Sequence, residues 1–367
     1  MIHGGEIYDK TIEYDFSVNL NPVPCPVSIK NALLEAVTVA HKYPDLEQKS
    51  FRRAVSDSLN KMTSADGISF DSDMIIGGNG ASELISAVVQ MVRPRKVLLP
   101  IPSFYGYVHA LNMAKECEII TYKLDSDNDF ELGKAFIDVI QEDIDLVIIG
   151  NPNNPTGRLI DREVLEGIIR KCRETNTALL VDECFYYLSG DSRSTEQKED
   201  SAEASLSQTS ISARNYISDY HGLYVIDAYT KLFSIPGVRV GYLVSCHDNI
   251  TKIKRYLPEW NMSAFATAAG VACAMECTDD FCNESRQMIS RERQFLVKEL
   301  EKLGIKTYPS DSNFVLIYSN ENLYDKLLEK KLLIRDCSTY DGLCKGFYRI
   351  AVKNHVENME LVSRIKE

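Results

Sequence analysis

The sequence predicts an α/β protein, a large and mostly parallel sheet domain joined to a smaller α+β domain, and three observations carry that prediction. Apolar runs of strand length alternate with segments of helical period as far as about Arg255. Beyond it the pattern changes to long helical stretches with few strands. A chain of 367 residues, 44% of them hydrophobic, is long enough for a large core plus a second one.

The strand-like runs are "SDMIIGG", "RKVLLP", "CEIITYKL", "IDLVIIG", "TALLVDE", "LYVIDAY" and "VRVGYLV", and amphipathic segments such as "DREVLEGIIRKCRET" separate several of them. In the last run Val238, Val240, Tyr242 and Val244 alternate, with Arg239 between the apolar residues. The later part reads as helices, then "SNFVLIY", a helix around "LYDKLLEKK", and "GFYRIAV". Residues 1–40 are expected to pack with the smaller domain, 41–255 to form the large domain and 256–367 the small one. The stretch Ser189 to Ser212 is polar and serine-rich, cannot bury enough apolar surface to offset its ordering entropy, and reads as a mobile surface insertion.

Composition excludes some functions. A net charge of −12 offers no basic face for a phosphate backbone, so no nucleic-acid partner is expected. The start "MIHGGEIYDK" lacks a signal pattern and no apolar run nears the ~18 residues of a membrane span, so a cytoplasmic protein with no membrane partner is expected. Ten scattered cysteines, with no C-x-x-C pair and no histidine at zinc-ligand spacing near Cys273, Cys277 and Cys282, read as reduced, packed thiols with no metal.

Ligands of a parallel sheet collect beyond the carboxyl ends of its strands, and several motifs fall there. "GGNGASE" ends one strand and opens a helix, so the backbone N–H groups of Gly80, Ala81 and Ser82 can point at an anion. A tight turn would explain it without a ligand. A dinucleotide fingerprint is disfavoured, because Glu83 stands where the third glycine belongs and "RKVLLPIP" supplies no ribose-binding acid. "GNPNNPTGR" is strong turn chemistry after "DLVIIG". Asp182 and Glu183 sit at the tip of a buried strand, where an isolated carboxylate is costly, so a cationic group is expected to meet Asp182. A lysine (Lys231), an acid, an asparagine and an anion cradle are together the protein's side of a pyridoxal 5′-phosphate (PLP) site.

"GNGASE", "PSFYGY", "NPNNPTG", "VDECF" and "TKLFSIPGVRVGY" occur in the order and approximate spacing of the class I/II aminotransferase superfamily of PLP enzymes, and the chain resembles that family through nearly its whole length. The resemblance implies an aspartate aminotransferase-like fold. It also implies that Lys231 carries the cofactor and later moves protons, Asp182 holds the pyridine nitrogen, Asn154 bonds the phenolic oxygen and Phe104 stacks on the ring. Gly80, Ala81, Ser82, Thr230 and Arg239 would hold the phosphate, and Tyr43 resembles the tyrosine that reaches a partner subunit's phosphate in a homodimer with shared sites. Arg335 and Arg349 resemble the arginines that grip a substrate carboxylate or phosphate, and His3 would add a contact if the start of the chain folds over the site.

Two positions depart from the aminotransferase pattern. Phe185 replaces a tyrosine that bonds the phenolic oxygen, and Ala228 replaces a phosphate-binding serine or threonine. "HGG", "DFSVNLNP", "LLIRDCSTYDGL" and "FYRIAV" look more like the threonine-phosphate decarboxylase branch than the histidinol-phosphate aminotransferase branch. The resemblance therefore implies decarboxylation of a small phosphorylated amino acid, L-threonine O-3-phosphate or a close analogue, through an external aldimine. Transamination is the alternative, and a PLP-fold binding protein without turnover a remote one.

Overall fold

In a computed structural model, residues 4–63, 68–114, 116–190 and 211–367 are described. His3 and residues 191–210 of the polar insertion lie outside them. The first strand, β1 (Tyr14–Asp15), is short and pairs far along the sequence. A seven-stranded sheet follows from β2 (Ile75–Gly78), β3 (Lys96–Ile101), β4 (Glu118–Lys123), β5 (Leu146–Gly150), β6 (Ala178–Asp182), β7 (Leu223–Asp227) and β8 (Gly241–Val244), in the order β2-β8-β7-β6-β5-β3-β4. Strands β2, β5, β7 and β8 are buried throughout, as their continuous apolar runs require of a sheet covered on both faces.

Only β8 runs against the other six strands. The other six all present their carboxyl ends to one edge, while β8 presents its amino end there. The sequence pattern predicts a strand from Val238. Instead Pro236–Val238 forms a 3-10 turn, Arg239 takes a left-handed conformation (φ 60°), and the strand begins at Gly241. The turn aims Arg239 at the sheet edge, where an uninterrupted strand would have paired it.

The remaining strands are β9 (Lys306–Thr307), β10 (Phe314–Tyr318), β11 (Leu332–Leu333), β12 (Arg335–Asp336) and β13 (Phe347–Ala351). They form an antiparallel sheet in the order β12-β13-β10-β9, and β11 pairs with β1. The helices Ala264–Glu276 and Asp279–Lys302 lie between the two sheets in sequence, at the long helical stretches anticipated above.

Behind the sheet edge lies a buried ionic cluster. Arg214 bridges Glu183 (2.9 Å) and Asp227 (3.1 Å), and Glu183 also accepts from Ser212 Oγ (2.6 Å) and the Ala213 N–H (2.7 Å). Burial raises the Asp227 carboxyl to about 6 against the pull of Arg214. Glu183, at the same strand tip as Asp182, therefore pins Ser212, Ala213 and Arg214 against that tip. All ten cysteines are unbridged. Among the described residues no helix is long and apolar enough to cross a membrane.

Candidate active site

The sheet edge opens into a cavity of about 510 Å³ lined by groups from both sheets. From the large sheet come Ala81 and Ser82 after β2, Phe104 after β3, Asn154 after β5, Asp182 at the end of β6, and Thr230 and Lys231 after β7. Arg239 arrives from the reversed strand. Arg335, Tyr340 and Arg349 come from around the small sheet, and Ser17, Val18 and Asn19 from the N-terminal segment. Lys231 lies in a one-turn helix, Tyr229–Leu232, directly after β7.

The charges lining this cavity are unbalanced. Lys231, Arg239, Arg335 and Arg349 face it with Asp182 as the one carboxylate among the lining residues. Burial, then the nearby Arg349, lowers the Lys231 amine to about 8, so that about a tenth of it is uncharged and nucleophilic at pH 7, far more than of an ordinary lysine. Arg335 and Arg349 are directly paired across β12 and β13, both buried. Arg349 donates to the Ser17 carbonyl (2.8 Å) and to Asn154 Oδ1 (2.5 Å), and its guanidinium packs 5.4 Å from the Phe314 ring. With its amide reoriented, Asn19 accepts from the same guanidinium at 3.2 and 3.3 Å. The Arg335 guanidinium rests 5.4 Å from the Tyr340 ring and makes no hydrogen bond or ion pair with the described residues, its carbonyl accepting from Cys337 Sγ. A 4% exposed guanidinium left in that state calls for an anionic ligand.

Asp182 makes its hydrogen bonds to neutral donors of the protein. Its Oδ2 accepts from the Tyr107 hydroxyl at 2.8 Å and its Oδ1 from the Cys184 N–H at 3.0 Å. Burial and the Asp182 charge both raise the Tyr107 hydroxyl far above its ordinary value, so it stays protonated and donates. The carboxylate is thereby oriented with capacity to accept one further N–H from the cavity. Tyr107 was legible only as part of "PSFYGY", three residues after Phe104 on the helix Tyr105–Met113. Its partner is 75 residues away.

The cradle differs from expectation in one atom. The Gly80 N–H donates to the Gly78 carbonyl at 2.7 Å, closing a tight turn, so it is not free for an anion. The helix Ala81–Val92 leaves the Ala81 and Ser82 N–H groups at its open end. Gly80 contributes space instead: it has φ 76°, and a Cβ there would lie 2.5 Å from Arg239 Nη2. Substitution would displace the guanidinium from the cradle.

Tyr43 does not join the cavity of its own chain. It is 82% exposed, with its ring 4.8 Å from Trp260. Phe185 lines the cavity wall edge-on to Phe314, and Ala228 lines it with no polar side-chain atom to offer. The residues present fit PLP: a depressed lysine, an oriented carboxylate, an aromatic face, and a glycine-cleared cradle with an arginine above it.

One outcome follows for the lysine. In cofactor-free protein, the rate of Lys231 modification by a small neutral acylating reagent, read by peptide mass, should rise with pH to a plateau half-reached near pH 8. Arg349→Gln should move that midpoint upward by removing a neighbouring positive charge. A wild-type midpoint above 10 would mean that Lys231 is an ordinary solvated amine.

Comparison with known proteins agrees with this geometry. The family described as aminotransferase class I and II matches residues 11–365. A provisional threonine-phosphate decarboxylase of Caldanaerobacter subterraneus subsp. tengcongensis is 30% identical over 99% of this chain and 93% of its own length. The threonine-phosphate decarboxylase of Salmonella typhimurium is 28% identical over 96% of this chain and 90% of its own. Among solved structures, the histidinol-phosphate aminotransferase from Clostridium acetobutylicum superposes with a TM-score of 0.81 at 29% identity, covering 96% of this chain and 98% of that one. The chain belongs to the class I and II aminotransferase family, has its fold, and is a PLP-dependent enzyme.

Proposed function

We propose that this enzyme is a homodimeric decarboxylase of a small phosphorylated amino acid, L-threonine O-3-phosphate or a close analogue. The carrying observation is the cross-strand pair Arg335 and Arg349: two buried guanidiniums side by side, one of them donating to no described residue. Directly opposed residues of an antiparallel pair are about 4.5–5.5 Å apart, close enough for both to grip one dianion. A phosphate held by the pair leaves the substrate carboxylate free of a guanidinium clamp.

Bound PLP supplies an electron sink for the pair released when a bond at the substrate Cα breaks. The chain's residues do the rest. Ala81, Ser82, Thr230 and Arg239 hold the cofactor phosphate, Phe104 covers its ring, and Asp182, steadied by Tyr107, accepts the pyridine N–H. Asn154 keeps its amide hydrogens for the phenolic oxygen because its Oδ1 is already taken by Arg349. This bond ties cofactor to substrate recognition. With the Cα–carboxylate bond unclamped, CO2 would depart, and the protonated Lys231 Nζ would deliver one proton to Cα in its place to give the amine phosphate. Positioning of this kind is worth ~7 kcal/mol or more in well-oriented systems, enough to choose between two bonds at one carbon. Phe185, which offers no hydroxyl beside the ring, and the similarity to named threonine-phosphate decarboxylases support the reading.

The likeness to a histidinol-phosphate aminotransferase favours transamination as the second reading. Incubation of stoichiometric enzyme with O-phospho-L-threonine or O-phospho-L-serine should release CO2 with the cofactor spectrum restored unchanged. Conversion to the pyridoxamine form without CO2, reversed by 2-oxoglutarate, would establish the transaminase instead.

For the dimer, the support is exposed apolar surface. Val27, Leu34, Val37, Tyr43, Leu46 and Trp260 are all exposed large apolar side chains, and the rings of Tyr43 and Trp260 lie 4.8 Å apart. In this reading Tyr43 completes the phosphate site of the partner subunit. Lys231→Ala and Tyr43→Phe subunits, each nearly inactive, should regain activity on mixing, since one site of the hybrid is assembled from wild-type halves. No recovery after demonstrated subunit exchange would mean that the sites are not shared.

A further inference from the structure

The cradle loop is held from behind by side chains that do not line the cavity. Gln48 Oε1 accepts the Gly77 N–H at 2.7 Å, and its Nε2 donates to the Gly77 carbonyl at 3.2 Å and to Asn261 Oδ1 at 2.8 Å. Asn261 Nδ2 donates to the same carbonyl at 3.1 Å and to Glu83 Oε2 at 2.8 Å. Glu83 Oε2 in turn accepts the Asn79 N–H at 2.7 Å. Three side chains far apart in sequence thus close a polar ring around residues 77–79, immediately before the Ala81 and Ser82 N–H groups.

The ring carries marks of constraint. Gln48 and Trp260 both adopt left-handed backbone (φ 53° each), a conformation that such residues keep only where their surroundings hold them. A Cβ on Gly77 would collide with Met262 Sδ and Phe51, so the loop has no room to drift. Glu83 also poses an electrostatic question, because a carboxylate in the first turn of this helix repels an anion at the same end. Its two accepted hydrogen bonds answer it: the oxygen, rather than the charge, is what the loop needs.

We propose that Asn261, Gln48 and Glu83 are positioning residues that set the phosphate affinity of the site. By fixing residues 77–79 they make the Ala81 and Ser82 N–H groups and the Arg239 guanidinium converge on one anion. The inference rests on the reading of this loop as the cofactor-phosphate cradle.

The test uses cofactor-free full-length protein titrated with PLP and, separately, with pyridoxal, which lacks the phosphate. Binding is followed by the fluorescence of Trp260, the one tryptophan of the chain, which neighbours Asn261. Wild type should bind PLP far more tightly than pyridoxal. Asn261→Ala and Glu83→Ala should each weaken PLP binding roughly tenfold, the loss expected when hydrogen bonds that orient a charged-ligand site are removed, with pyridoxal binding unchanged. Glu83→Gln should bind PLP at least as well as wild type, because its amide oxygen can accept the same two N–H groups without the negative charge. Glu83 is partly exposed, so its variants serve even where Asn261→Ala does not fold. Equal losses for both ligands, wild-type PLP affinity in the alanine variants, or a Glu83→Gln as weak as Glu83→Ala would overturn the positioning role. A wild type that does not distinguish PLP from pyridoxal would overturn the cradle reading itself and the inference with it.

Discussion

Uncompensated positive charge at the edge of a buried sheet is the constraint around which this molecule is organised. The chain as a whole carries a net charge of −12, yet its central cavity sets four cations against one carboxylate. Folding does not relieve that imbalance, so the ligands must. A cofactor phosphate and a substrate dianion are what the three guanidiniums among those cations can hold, and that Coulomb attraction grows as water is expelled from the cavity. The lowered Lys231 amine is a by-product of the same field: burial and Arg349 together favour its neutral form.

Two other buried arginines meet carboxylates directly. Arg214 has Glu183 and Asp227, and Arg158 has Asp311 and Glu131 at 3.8 and 3.6 Å. Arg286 and Arg293, buried without an ion pair among the described residues, still donate to Tyr187, Asn283 and Ser312, whereas the Arg335 guanidinium donates to no described residue, a difference that burial alone does not show. Topology makes the concentration possible. Six strands deliver their carboxyl ends to one edge, and the single reversed strand delivers Arg239 to that edge from its amino end.

Much of this was legible in the sequence, because the motifs combine turn-forming glycine and proline with strand-terminal polar residues at places where a parallel sheet must expose them. Lys231, Asp182, Asn154, Phe104, Arg239, Arg335 and Arg349 all meet at one cavity. What could not be read were pairings across long separations and the direction of a strand. Tyr107 under Asp182, Asn154 joined to Arg349 and Asn261 behind the cradle each depend on residues 75 to 195 positions apart. The alternation of Val238, Val240, Tyr242 and Val244 misplaced the start of the last strand, since periodicity does not register the left-handed turn at Arg239. The Gly80 N–H was read as free because the glycine-rich pattern does not reveal which amides the turn consumes.

Arg335 is a buried guanidinium whose donors no described residue accepts, with the Tyr340 ring beside it. The decisive measurement is chemical unfolding of wild type and Arg335→Leu, cofactor-free and then PLP-loaded with and without O-phospho-L-threonine. If the charge is held for a ligand, the cofactor-free variant is at least as stable as wild type, since a functional site carries a stability cost, and the phosphorylated amino acid no longer stabilises the loaded variant. A variant destabilised by about 3–5 kcal/mol, as breaking a structural buried pair would do, with ligand stabilisation intact, would contradict the account and make Arg335 a residue of the scaffold.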